Sequence, residues 1–215
     1  MRLELDAAAL GSGPAAAVPP LTLAVTPGRV AVLAVETDDR PMLVSLLLGG
    51  RLAPETGRLL VDGEPAPRDV RHRVALVDTP TVAEAPAGVK VATVVAEELA
   101  LAGRRSGGRA VRGQLARLGI EGLAAAPLRS VATGDRIRLL VDLARQRPGV
   151  DALVLTSPER HGGDPAAWYP ALTALPDLGI VVVTDATTRD TLIELGARDA
   201  TEPLPTPRPV ESDPA

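Results

Sequence analysis

A loop that holds phosphate sits between a buried strand and a helix, and it draws on glycines and a lysine. Residues 31–50, AVLAVETDDRPMLVSLLLGG, pass from an apolar run through a short charged loop into apolar positions at helical spacing. The loop offers Glu36, Thr37, Asp38, Asp39, Arg40 and Pro41 instead. At ~5 Å and an effective dielectric of about 20, each carboxylate repels a unit phosphate charge by about 3 kcal/mol. Arg40 offsets one of them. Pro41 deletes a backbone N–H at the helix start, where anion binding finds its donors. A helix start still attracts negative charge. Asp38 or Asp39 is therefore expected to cap this helix from within the chain, stabilising it by about 0.5–2 kcal/mol. Pro41 suits a first helical turn, where its missing donor has no helical partner anyway.

Other chemistries have fewer residues to work with. The 215 residues contain no cysteine, which excludes thiolate metal sites, disulfides and cysteine nucleophiles. His72 and His161 are the two histidines, too few for a histidine metal site. No nucleophile-elbow pattern is present. Arg104, Arg105, Arg109, Arg112 and Arg117 cluster in GRRSGGRAVRGQLAR. They form either a solvated helix face or a partner-docking surface. A net charge of −4 and 1% aromatics argue against a nucleic-acid partner. The N-terminus lacks the apolar core of a signal peptide, and no apolar run is long enough to span a bilayer. The expectation is a cytoplasmic chain, able to sit at the inner face of a membrane through a partner.

The elements that must position these residues follow from patterning. Hydrophobic residues make up 46% of the chain, enough for one sizeable core. RLEL and LTLAV alternate as exposed-face strands, with GSGPAAAVPP as a loop between them. RVAVLAV, HRVALVD, ALVLT and IVVVT are continuous apolar runs, the mark of strands buried on both faces. GRLLVDG ends in an Asp-Gly turn. Residues 80–128 carry helical spacing and no strand, so they are read as a small helical subdomain inserted in a single domain of residues 1–200. Residues 135–147 form a helix with Ile137, Leu140, Val141 and Ala144 on one face, and residues 166–175 form another. Residues 201–215 read as a disordered Pro-rich tail. Buried strands alternating with helices give an α/β fold. It has a mostly parallel sheet covered on both faces, and the early strands add an antiparallel β edge.

In this order the pieces resemble the ATP-binding subunit of ABC transporters, a P-loop NTPase fold. LTLAVTPGRVAVLAV is similar to the strands leading into that family's phosphate loop, and LLLGGRLAPETGRLLVDGE to the run after it. LARLGIEGLAAAPLRSVATGDRIRLLVDLARQRPGVDALVLTSPE is similar to the stretch from signature to Walker B, and IVVVTDA to the switch-histidine strand. The likeness covers residues 1–200 in unbroken order. It implies an ATP and Mg²⁺ site, but this sequence departs from the family at each chemical position. Registered on Gly50, the phosphate-loop lysine falls on Pro41, its serine and threonine on Met42 and Leu43, and the glycine before them on Arg40. Lys90 is the chain's single lysine. The Walker B Asp-Glu falls on Thr156 and Ser157, neither a general base at neutral pH. Glu159 and His161 fall in the following loop and read as loop residues. Val131–Asp135 stands for Leu-Ser-Gly-Gly-Gln, keeping Gly134, with Thr133 beside it and Asp135 read as a helix cap. The glutamine position falls near Asp78 or Thr79, and the switch histidine on Asp185.

The resemblance without its chemistry implies a pseudo-ATPase: a docking or regulatory subunit of a membrane transporter, with no cofactor expected. Its partners would be an integral membrane subunit or an active ABC ATPase, in a homo- or heterodimer. The alternatives are a free-standing α/β interaction protein, or an ATP-binding subunit with a non-standard working site that uses ATP and Mg²⁺.

Overall fold

Apolar runs that do not alternate must be covered on both faces, and the computed structural model shows what covers them. It describes residues 1–35 and 38–204. The chain begins with β1 (Leu3–Leu10), β2 (Val18–Val25), β3 (Ala31–Ala34), α1 (Arg40–Leu48), β4 (Thr56–Val61) and β5 (Glu64–Pro65). It continues through α2 (Val70–Arg73), β6 (Val74–Val77), α3 (Val91–Leu101), α4 (Gly108–Leu118) and α5 (Thr133–Ala144). Then follow β7 (Ala152–Thr156), α6 (Tyr169–Thr173), β8 (Gly179–Thr184), α7 (Ala186–Glu194) and β9 (Arg198–Asp199).

Five strands form a parallel sheet in the order β6-β7-β8-β3-β9. Its residues alternate between two apolar clusters. Val74, Leu76, Ala152, Val154, Val181 and Val183 face Val44, Leu47 and Leu48 of α1. Ala75, Val77, Leu153, Leu155, Ile180 and Val182 face the other way, onto α3, α4 and α5. The early strands form a separate antiparallel sheet, β2-β1-β4-β5, rather than extending the parallel one. Leu3, Leu5, Leu23 and Val25 of that sheet join the α1 cluster, so α1 lies between the two sheets.

Local details differ from the sequence reading in ways the physics explains. β2 begins at Val18 and takes in Pro19 and Pro20, which the sequence places in a loop. β2 is an edge strand, where a residue without N–H interrupts no ladder. β1 runs on to Leu10 through an irregularity at Ala7, whose φ is 48°. Opposite it, Gly57 has φ 76°, and a Cβ there would lie 2.2 Å from the Ala7 carbonyl oxygen. Asp62 and Gly63, both at positive φ, make the expected tight turn. The helix expected over 166–175 is shorter, Tyr169–Thr173, with Trp168 at its N-cap and Tyr169 in its first turn both buried. Between β6 and α5 the described chain holds α3 and α4, with an isolated bridge pairing Lys90 and Pro127. Of the expected tail, residues 205–215 lie outside the described residues, as do Glu36 and Thr37.

Gly57→Ala is expected to cost about 1–3 kcal/mol through clash and left-handed strain, lowering Tm by about 2–4 °C per kcal/mol. Gly113→Ala, in an exposed helical position with open space around it, should leave stability level or raise it by about 0.5–1 kcal/mol. Thermal unfolding of the two variants checks the contrast.

Candidate functional site

All five parallel strands point their C-terminal ends the same way, and most of the residues matched to the family's nucleotide positions lie near those ends. β3 delivers the chain into the loop before α1. Arg40 opens α1, and Pro41 sits in its first turn. The expected carboxylate cap is absent. Asp39 occupies the N-cap with φ −79° and ψ −1°, and its side chain makes no capping bond. A capping side chain needs extended backbone to swing over the free N–H groups, and Asp39 is already helical. Asp38, at φ 38°, is exposed and likewise accepts no N–H of the helix start among the described residues. Arg40 instead reaches across to β2's approach, donating from Nε to the Ala17 carbonyl (2.7 Å) and from Nη2 to the Ala16 carbonyl (3.3 Å). Met42 Sδ accepts from Thr81 Oγ1, and Leu43 packs at the border of the α1 cluster.

Behind the cradle lies a buried chain of hydroxyls. Thr156, at the end of β7, has its Oγ1 2.8 Å from Ser45 Oγ of α1 and 2.8 Å from Thr79 Oγ1, beyond β6. All three residues are fully buried. Ser45 Oγ donates to the Pro41 carbonyl (2.8 Å). That fixes the direction: Thr79 donates to Thr156, Thr156 to Ser45, and Ser45 to backbone. Each hydroxyl gives its one hydrogen, which a buried hydroxyl requires.

Beside it is an ionic hub. The Asp78 side chain is fully buried, and Arg136 of α5 is 3% exposed. Arg136 donates twice, Nη2 to Oδ1 at 2.8 Å and Nε to Oδ2 at 3.1 Å. His161 Nε2 lies 2.8 Å from Oδ2; facing a carboxylate, that nitrogen carries the hydrogen. Arg160 Nη2 stands 3.3 Å from both Asp78 Oδ1 and Glu84 Oε1. It also donates to the Asp78 carbonyl (2.6 Å), while Nη1 donates to the Thr156 carbonyl (2.7 Å). Asp78 and Ser157 leave their strands at φ 55° and 47°, a conformation costly for residues with a Cβ. Burial pushes the Asp78 carboxyl up, but the Arg136 hydrogen bonds and charge, with Arg160 and His161, hold it below the usual carboxylate range. Burial pushes His161 down, against the pull of Asp78. Glu159 accepts from Thr184 Oγ1 and is pushed up by burial, with Asp185 adding to the rise. Asp185 itself caps α7, accepting from Thr188 N at 2.6 Å. Thr133 Oγ1 donates to the His161 carbonyl (2.9 Å), tying the start of α5 to the same loop, and Gly134 faces the Ala167 carbonyl. Asp135 is not the cap expected of it. The N-cap is Ala132, and Asp135 pairs with Arg138 one turn on.

No family model matches the chain. Over 195 residues, 86% of this chain and 84% of the relative, it is 26% identical to the biotin transport ATP-binding protein BioM of Rhizobium etli. Among solved structures it is similar to CbiO1 of Clostridium perfringens, part of the ABC transporter complex CbiONQ. The TM-score is 0.59 at 18% identity, over 85% of this chain and 78% of that one. A putative ABC transporter ATP-binding protein of Pyrococcus furiosus gives 0.63 at 13% identity, over 86% and 92%. The chain has the ABC ATPase fold. The resemblance stated from the sequence therefore holds for the architecture.

An ABC ATPase site implies ATP and Mg²⁺, and the donors here do not fit them. Ser45, Thr79 and Thr156 are neutral and fully buried, and their hydroxyl hydrogens are used within the protein. Pro41 has no N–H, and Arg40 is engaged with carbonyls of the opposite wall. Asp78, Glu84 and His161 bring ligand atoms within 4.8 Å of one another. However, Arg136 and Arg160 already bring two positive charges to that spot, which a cation would have to displace.

Several of these residues escape a reading of the sequence. Asp78 appears there only as one of two places for the family's glutamine, and Glu159 and His161 only as loop residues. Arg136 has a signal: it stands on the stripe of Leu140 and Ala144 at spacing four, and a charge on a buried stripe demands a carboxylate. The cluster Arg104, Arg105, Arg109 and Arg112 is exposed on the α3–α4 corner and contributes nothing to this site.

Asp78→Ala should cost about 3–5 kcal/mol, because it strands the Arg136 guanidinium in the interior. Asp78→Leu combined with Arg136→Met should cost less than Asp78→Ala alone. A double-mutant cycle by denaturant unfolding checks this. For pH, both depressed groups act in one direction. The unfolded chain takes up protons before the native state does, so stability falls on acidification. It should fall first from about pH 6.5 downward, through His161, and again below about pH 4, through Asp78. His161→Gln should remove the upper step in a plot of Tm against pH.

Proposed function

We propose that this chain is a non-hydrolysing ABC-ATPase-like subunit that docks to a membrane transporter as a structural or regulatory partner. The observation that carries the reading is the hydroxyl chain Thr79–Thr156–Ser45. A Mg²⁺ position offers a carboxylate or a hydroxyl oxygen open to the ion, and here Thr156 is neutral, fully buried and faced by the hydroxyls of Ser45 and Thr79. The water-activating position is Ser157, whose hydroxyl is no base at neutral pH. The relatives point to the transporter. BioM is a biotin transport ATP-binding protein, and CbiO1 is part of the ABC transporter complex CbiONQ.

A docking site is available beside the hub. A cavity of about 330 Å³ opens between Asp78 and α3, lined by Arg51, Val82, Glu84, Glu98, Leu101 and Arg147. Leu101 is 70% exposed and Val82 45%, while most large apolar side chains of the chain are buried. Two exposed apolar groups ringed by both signs of charge suit an amphipathic segment of a membrane-embedded partner.

No ATP or GTP hydrolysis above background is expected, and phosphate release that disappears on Arg40→Ala would overturn this. Pro41→Lys alone should not create activity, since Thr156, Ser157 and Asp185 remain. The second reading, a working ATP-binding subunit, is favoured by the name of the BioM relative. It predicts nucleotide-dependent stabilisation, about 2.7 kcal/mol at a hundred times Kd. No Tm shift with Mg-ATP is expected. Leu101→Asp with Val82→Asp should abolish co-purification with the transporter's membrane subunit and leave melting nearly unchanged.

A further inference from the structure

Most arginines of this protein end on a carboxylate or a carbonyl: Arg73 on Asp151, Arg136 on Asp78, Arg145 on Asp142, Arg147 on Glu98. The guanidinium groups of Arg104, Arg105, Arg109 and Arg112 are exposed and have no partner among the described residues. They fall within nine residues, and no acidic residue occurs between Glu98 and Glu121, on a chain whose net charge is −4. Between them stand only small or apolar side chains, Ser106, Gly107, Gly108, Ala110 and Val111, and Val111 is buried. The arginines are therefore the tallest groups on this corner. Leu115, fully buried, anchors α4 from below and holds the crest in place. A cavity of about 440 Å³ opens under Arg104 and Arg105, between Leu99, Gln114, Arg117 and Gln146. Arg117 is already paired with Asp142 at 2.6 Å, so the charge left for a ligand is that of the crest.

We propose that this crest binds the phosphate headgroups of an anionic bilayer, with the cavity under Arg104 and Arg105 receiving one headgroup. The partner follows from what the crest lacks as well as what it carries. The small side chains between the arginines offer little relief to recognise the shape of a folded partner. A nucleic acid would find no aromatic side chain to stack on there, and would meet the net negative charge of the rest of the chain. A membrane presents phosphates in one plane and meets the crest alone, and a cluster of four basic residues is the composition that such a surface attracts. The inference rests on the proposed docking in one respect: Leu101, on the rim of the docking cavity, precedes Arg104 by about one turn, so a membrane-embedded partner seated there brings the crest towards the bilayer.

The test needs no partner. The full chain is sedimented with phosphatidylcholine vesicles and with vesicles rich in phosphatidylglycerol. Binding to the anionic vesicles alone is expected, falling as salt rises. Each arginine changed to glutamine should weaken it about fivefold, so R104Q/R105Q/R109Q should weaken it about a hundredfold with Tm unchanged. Arg→Lys at the same three positions should retain binding, since charge rather than a fixed fork is what the surface reads. Equal sedimentation with both vesicle types, none with either, or no loss in the glutamine variant overturns the proposal. So does displacement by inorganic phosphate beyond a chloride control of equal ionic strength, which would assign the cavity to a soluble phosphate ligand. Transporter recovery and ATPase assays are separate readouts, so failure here leaves the docking proposal standing.

Discussion

Asp78 is a full negative charge withdrawn from water at the end of β6, and the candidate site is arranged around that fact. Taking a carboxylate into the interior costs several kcal/mol even after relaxation. Arg136 must therefore come from α5 with both donors aligned, and α5 must sit where that fork can reach. Arg160 and His161 must come from the loop after β7. One charge thus fixes a helix and a loop against a strand. Two apolar residues would hold these elements together equally well, but they would tolerate sliding. The bidentate pair does not.

The same site shows what surrounds the start of α1. Pro41 brings no N–H to the start of α1, and Asp39 at the N-cap makes no capping bond. The guanidinium that would meet a phosphate spans to Ala16 and Ala17, on the opposite wall. A cation at a helix N-terminus is disfavoured by the dipole. Carbonyl acceptors at Ala16 and Ala17 help to make Arg40 tolerable there. The hydroxyl chain behind it fills a buried position with groups that need one another and little else.

How much of this the sequence discloses depends on the range of the interaction. β6, β7 and β8 are legible because burial on both faces leaves an unbroken apolar run, and both sides of that run are seen in the two clusters the strands separate. The α/β architecture follows. β2 is misread at its start because Pro19 and Pro20 forbid a strand only where a ladder bond is needed, and edge position is a property of topology. Asp39 is misjudged because capping depends on one ψ angle, which residue type does not set. Ser45 and Thr156 are 111 residues apart, and each is unremarkable in its own stretch; only the packing of α1 on β7 makes them a pair. Arg136 lies between these cases: its place on a buried stripe announces a partner, and nothing local says that the partner is Asp78.

The sheet explains why the fold and the chemistry can part company. Its stability comes from side chains that point up and down from the strands, and these alternate between two apolar layers regardless of what the strand ends carry. Ligand chemistry in such a sheet belongs to the residues just past the carboxyl ends of the strands, where no apolar layer constrains their identity. Thr79, Ser157 and Asp185 occupy such positions, and Thr156 is the last residue of β7. Replacing a ligand group there removes contacts to a small molecule and leaves a buried polar vacancy. That vacancy must be filled with groups that satisfy each other, or the fold itself loses stability. The hydroxyl chain and the Asp78 hub meet that requirement at the carboxyl end of this sheet.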